Sequence, residues 1–121
     1  MKATESKIPT EHIEQKAFVH WFRHNFPRVL IFAVPNGEKR SITVAKRLKA
    51  EGVVRGIPDL YIPEWKVFVE MKRRKGGVLS KDQKNVIGYL ESIGDTVIIG
   101  RGAADASAQI LAFVKEKFDK G

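Results

Sequence analysis

Asp59, Glu70 and Lys72 are the residues of this chain whose types and spacing could do chemistry. Asp59 lies in Gly56-Ile57-Pro58-Asp59-Leu60-Tyr61-Ile62, and Glu70 and Lys72 lie in Val67-Phe68-Val69-Glu70-Met71-Lys72, two apolar, strand-like runs separated by a short polar break. Read as an antiparallel hairpin with its turn centred between Glu64 and Trp65, the runs set Asp59 directly opposite Glu70. Opposed residues have Cβ atoms only ~4.5–5.5 Å apart, and like charges so placed destabilise a sheet. Successive side chains alternate faces, so Lys72 joins both carboxylates on one face. A divalent cation between the carboxylates removes their repulsion. The set is the one a metal-dependent nuclease uses.

The same spacing also describes the solvated face of an amphipathic hairpin. Two features argue against that. Val67, Phe68 and Val69 are apolar on both faces, as are Leu60, Tyr61 and Ile62, which suggests strands covered on two sides. Pro58 lacks a ladder donor and belongs at a strand's first residue or edge, which puts Asp59 at a strand entrance where a ligand can reach it.

The elements that must position these residues are legible from caps and periodicity. Pro9 and Thr10 open a first helix, with Thr10 as N-cap and Glu11 favourable in the first turn; it runs to about Asn25 and stops at Pro27. Residues 1 to 8 read as a flexible lead-in, and 9 to 121 as one domain. Val29 to Val34 is a first strand, ended by the turn signal Pro35-Asn36-Gly37. Ser41 caps a second helix reaching Ala50 or Glu51, closed by Gly52. After the hairpin, Ser80-Lys81-Asp82-Gln83 is a capping box that opens a third helix ending at Gly94. Thr96 to Ile99 is a fourth strand and Ala103 to Phe118 a closing helix. The order α-β-α-β-β-α-β-α predicts an α/β fold, a mixed four-stranded sheet flanked by helices.

Composition bounds the partners. At 121 residues the chain is large enough for an ordinary core, and it has no cysteine, hence no disulfide framework or thiolate metal site. Its longest apolar stretch, Val29 to Pro35, is far shorter than the ~20 residues that span a bilayer. The N-terminus lacks a charged-then-apolar signal pattern, so the cytoplasm is the expected compartment and no membrane is expected as partner. Lys and Arg number 22 against 14 Asp and Glu, a formal +8, which points to a polyanion, nucleic acid first and an anionic membrane surface second. Arg40, Arg55, Arg73, Arg74 and Lys75 lie in or beside the third of the chain that carries the carboxylates, where they would contact DNA phosphates.

On the first helix, Glu14 falls at the centre of the face made by Ala17, Phe18 and Trp21. A carboxylate on an apolar stripe is costly unless paired. Glu14 either reaches the same metal site or is a boundary residue that snorkels to water or pairs with a lysine. His20 and His24, at i and i+4, lie far round the helix from Glu14 and read as solvated; His12 carries no stronger signal.

Glu14 and Gln15, Pro35-Asn36-Gly37, Gly52 through Gly56-Ile57-Pro58-Asp59, Glu70-Met71-Lys72, and Leu79-Ser80 followed by Gln83 together resemble the virus-type replication-repair nuclease (VRR-NUC) domain of the restriction-endonuclease-like PD-(D/E)XK superfamily. The resemblance covers roughly residues 11 to 100. It implies that Asp59, Glu70 and the Met71 carbonyl bind Mg²⁺ or Mn²⁺, with Glu14 completing the shell directly or through water. Oxygen ligands suit those ions. Lys72 would orient the attacking water and offset charge on the phosphoryl oxygens. Gln83 is either a catalytic residue or only a helix cap. The resemblance further implies a homodimer that cuts branched DNA, four-way (Holliday) junctions included, in a phage or bacterial setting. The leading expectation is thus a metal-dependent, structure-selective DNA endonuclease. The alternatives are a restriction-like or general nuclease on linear DNA, and a nucleic-acid-binding module without turnover.

Overall fold

The structure, a computed structural model, describes residues 7–35 and 41–119. Asn36, Gly37, Lys39 and Arg40, and with them most of the expected Pro-Asn-Gly turn, lie outside the described residues. The element order is α1 (Glu11–Asn25), β1 (Phe32–Ala33), α2 (Ile42–Ala50), β2 (Leu60–Ile62), β3 (Val67–Lys72), α3 (Lys81–Ser92), β4 (Thr96–Arg101) and α4 (Ala103–Phe118). The expected mixed four-stranded sheet is present, in the order β1-β2-β3-β4. The first two pairings are antiparallel and the last is parallel.

The helices start where their caps place them. Thr10 and Ser41 accept from the Ile13 and Val44 backbone N–H groups, and Ser80 with Gln83 forms a reciprocal capping box. Each satisfies donors that a helix leaves unpaired in its first turn.

The expected hairpin register is met: Leu60 pairs with Val69, Tyr61 with Phe68 and Ile62 with Val67. Pro63 ends β2 because it has no N–H to donate. A 3-10 turn at Pro63–Trp65 and a left-handed Lys66 (φ 55°) reverse the chain. β4 runs two residues beyond the expected Ile99, since Met71 and Lys72 offer partners to Gly100 and Arg101. β1 is much shorter than the expected Val29 to Val34. Val29 N–H turns back to the Phe26 carbonyl, and the Ile31 carbonyl accepts from Arg23 instead of a strand.

Alternation along β3 sorts the two layers. Val67, Val69 and Met71 point with Leu60 and Ile62 into a core closed by Phe18 and Phe22 of α1 and Ala106 and Ile110 of α4. Glu70 and Lys72 point to the opposite face, where Gln83 of α3 meets them. Both faces of β3 are therefore covered, as its unbroken apolar run implied. No helix among the described residues is long and apolar enough to cross a membrane.

Candidate active site

The site is assembled at the end of the β2–β3 hairpin. Asp59 is one residue before β2, and continuing the ladder from Leu60 and Val69 sets it across from Glu70. Its Oδ2 accepts from Met71 N–H at 2.7 Å, an oxygen of a side chain standing in for a strand carbonyl just beyond the last ladder pair. Pro58 before it is fully buried, which fixes the entry of the chain. Gly56 fixes it further: its φ is +88°, and a Cβ there would lie 2.7 Å from the Asp82 backbone. A side chain would be strained and would push the loop off the start of α3.

Glu70 and Lys72 are 2% and 6% exposed. A bare charge so deep is costly, and each is met by partners. Gln83 Nε2 donates to Glu70 Oε2 at 2.8 Å, and Lys72 Nζ stands 3.5 Å from the same oxygen. Lys72 Nζ also donates to Gln83 Oε1 at 3.2 Å, and that oxygen accepts the Ser80 backbone N–H at 2.8 Å. One Gln83 side chain thus closes the α3 cap and links Glu70 to Lys72. The cap and the site, alternatives for Gln83 in the sequence, are the same set of bonds. Among the described residues no buried side-chain polar atom lacks a partner.

Burial and the neighbouring Asp59 carboxylate push the Glu70 carboxyl up to about 7, against the attraction of Lys72. Burial also raises Asp59, opposed by the Met71 N–H and reinforced by the negative charge of Glu11. Two facing acids whose affinity for a proton is raised form a site that gains from a cation.

The structure does not bring Glu14 to this pair. Its Oε1 accepts from the Ala103 N–H at the start of α4 and its Oε2 from Arg74 Nε, both at 2.9 Å. Glu14 is 4% exposed, so the expectation of a metal ligand gives way to a buried tie between α1, α4 and the segment after β3. Its central place on the apolar stripe was a sign of burial. Glu11, one turn earlier and exposed, is the α1 carboxylate whose charge acts on both Asp59 and Glu70. In the sequence Glu11 reads only as a favourable first-turn charge, because its reach to Asp59 and Glu70 depends on how α1 packs. Among the described residues no three of Asp, Glu, His and Cys are grouped closely enough to hold a metal by themselves.

The basic residues divide. Arg73 donates to the Ile8 and Pro9 carbonyls at 3.1 and 3.4 Å, and Arg74 is held by Glu14. Arg55 lies 4.0 Å from Asp82 with both side chains well exposed, and Lys75 is exposed. Arg40 is outside the described residues.

No protein-family model matches the chain, and no curated protein does. A solved structure described as a VRR_NUC domain protein is similar to it, with a TM-score of 0.73 over 90% of this chain and 91% of that one, at 22% sequence identity. At that identity the likeness establishes the fold, which is the fold the sequence resemblance implied.

Proposed function

We propose that this chain is a metal-dependent DNA endonuclease that hydrolyses phosphodiester bonds, acting as a homodimer on branched DNA. The observation that carries the reading is the convergence of Asp59, Glu70, Lys72 and Gln83 at one end of a rigid hairpin. Binding alone would not need facing carboxylates, which repel phosphates.

The donor set fits a hard cation of the Mg²⁺ or Mn²⁺ type. Such ions are commonly held by one or two carboxylates, with water and substrate phosphate filling the other positions. Asp59 and Glu70 supply the two carboxylates, and Glu11 adds a third negative charge at the approach. The Met71 carbonyl is a candidate fourth oxygen: in an extended strand a residue's N–H and C=O face the same side, and Met71 N–H faces Asp59. When bound, the metal lowers the pKa of water and polarises the phosphate.

The chain's own groups do the positioning. The Met71 N–H holds Asp59 Oδ2 at the end of the hairpin, beside Glu70. Gln83 holds Glu70 Oε2 and keeps Lys72 beside it. Lys72, fixed by burial and by Gln83, orients the attacking water and offsets charge that develops on the phosphoryl oxygens. Stabilisation by preset charges of this kind is usually the largest catalytic term. Paired incision of two strands requires two such clusters, and each chain contributes one, which is the argument for a dimer.

End-labelled single strand, linear duplex, flap and four-way junction, each incubated with Mg²⁺, Mn²⁺ or EDTA, test the proposal. Metal-dependent cutting with preference for the branched forms is expected. Preference for linear duplex would move the reading to a general nuclease. Tight binding without cutting in any metal would replace it with a binding module.

A further inference from the structure

A groove of about 790 Å³ runs between α1 and the β1 edge of the sheet. Its apolar floor includes the exposed Ile13, Ala17 and Ala33, and one wall carries His12, Lys16, His20 and Arg23. Among the described residues no carboxylate lines it. The groove begins near the proposed active site, since His12 follows Glu11, whose charge acts on Asp59 and Glu70.

We propose that this groove binds a short unpaired nucleotide strand that continues from the scissile phosphate. The wall residues recur about once per turn of α1, so Lys16 and Arg23 lie on one continuous stripe with His12 and His20 as further hydrogen-bonding groups. Lys16, His20 and Arg23 are exposed, so their heads are free to meet phosphates. Arg23 gives one N–H to the Ile31 carbonyl and retains others, because a guanidinium has five donors. From His12 to Arg23 the helix runs roughly 16 Å at its rise of ~1.5 Å per residue. That length suits a short strand and not an extended one.

The apolar floor selects the kind of strand. A duplex stacks its base faces inward and offers a protein mainly phosphates and groove edges. An unpaired strand exposes base faces that gain from leaving water, alongside phosphates that meet the cations. A peptide strand added to the edge of β1 would use the backbone of Phe32 and Ala33 and would have no need of the basic stripe along α1. The inference deepens the nuclease reading and rests on it for the identity of the polyanion. It gives a physical reason for preference for flaps or branch points over uninterrupted duplex.

The test uses the full chain in EDTA with a fluorescein-labelled oligothymidine and a blunt duplex of matched charge, read by anisotropy. Lys16→Glu and Ala17→Trp place a repelling charge and a bulky ring in the groove, both at exposed positions. Each variant is expected to lose about tenfold or more in affinity for oligothymidine, the equivalent of one stacked base, with a clearly smaller loss for duplex. Thermal melting establishes that each variant is folded, and Lys16→Glu carries the test if the tryptophan is not accommodated. A photoreactive thymidine should cross-link to peptides from α1. Equal losses for both probes would overturn the inference in favour of general electrostatic attraction. Unchanged oligothymidine binding would also overturn it and leave the β1 edge to a peptide strand. Failure of the unaltered chain to cut DNA in Mg²⁺ would count against the nuclease reading without deciding this test, which needs no cleavage.

Discussion

Glu11 and Glu14 stand one turn apart on α1 and are used in opposite ways: Glu14 is buried with both oxygens hydrogen-bonded, while Glu11 stays exposed and its charge is felt at Asp59 and Glu70. The rotation of the helix about its axis decides this. The face that carries Phe18 and Phe22 into the core takes Glu14 with it and leaves Glu11 at the rim.

The two substitutions should therefore separate. Glu14→Ala removes the acceptor for Ala103 N–H and for Arg74, and is expected to lower stability by about 1–3 kcal/mol, toward the lower end because the exposed Arg74 can be resolvated. Glu11→Gln is expected to change stability by less than ~1 kcal/mol while impairing metal-dependent cleavage. Urea denaturation and a cleavage rate on the same samples check both. A stable Glu14→Ala alongside an unstable Glu11→Gln would reverse the assignment.

Gln83 allows a similar separation. Ser80→Ala removes only the cap, at a cost of about 0.5–2 kcal/mol. Gln83→Ala removes the reciprocal cap together with the bonds to Glu70 and Lys72. Comparable destabilisation with a much larger loss of cleavage in Gln83→Ala is expected. Equal activity in the two variants would make Gln83 a cap alone.

The carboxyl pair makes the metal-free protein sensitive to pH. Glu70 is raised from an ordinary value of 4.5 to about 7, so between these values the folded chain holds a proton that the unfolded chain has released. Stability from this group is thus greatest below about 4.5, falls as pH rises toward 7, and stays low above it. Melting temperatures in EDTA should show that decline, and Glu70→Gln should remove it. Added Mg²⁺ should stabilise more at pH 8 than at pH 5, because the ligands must lose their proton to bind it. A decline of equal size in Glu70→Gln would place the titration elsewhere.

The basic segment after β3 divides by its partners within the chain. Arg73 and Arg74 hold the start of α1 and Glu14, whereas Lys75 is exposed. Lys75→Ala is expected to flatten the salt dependence of duplex binding by up to ~0.9 log units if it meets one phosphate. Arg73→Ala should act mainly on thermal stability. Binding measured across a salt series, with melting in parallel, distinguishes the two.

What the sequence made legible was local and periodic. The Asp59–Glu70 register followed from alternation about the Glu64–Trp65 turn, and helix starts followed from Thr10, Ser41 and Ser80, whose side chains complete the first turn. What it hid depended on tertiary partners. The roles of Glu11 and Glu14 turn on which face of α1 meets α4, and β1 is shortened by a hydrogen bond from Arg23 that no local pattern reveals. The positive charge of Arg73 and Arg74 was legible, but not that both also tie the chain together through Ile8, Pro9 and Glu14.

The most direct test compares single-turnover cleavage of a labelled four-way junction in Mg²⁺ by the unaltered protein and by Lys72→Met, with junction affinity measured in parallel. Methionine keeps much of the length of the buried side chain and removes the charge. The account expects a rate loss of about 100-fold or more with affinity nearly unchanged, since Lys72 acts on charge that develops only as the bond breaks. Equal cleavage rates in the two proteins would contradict it.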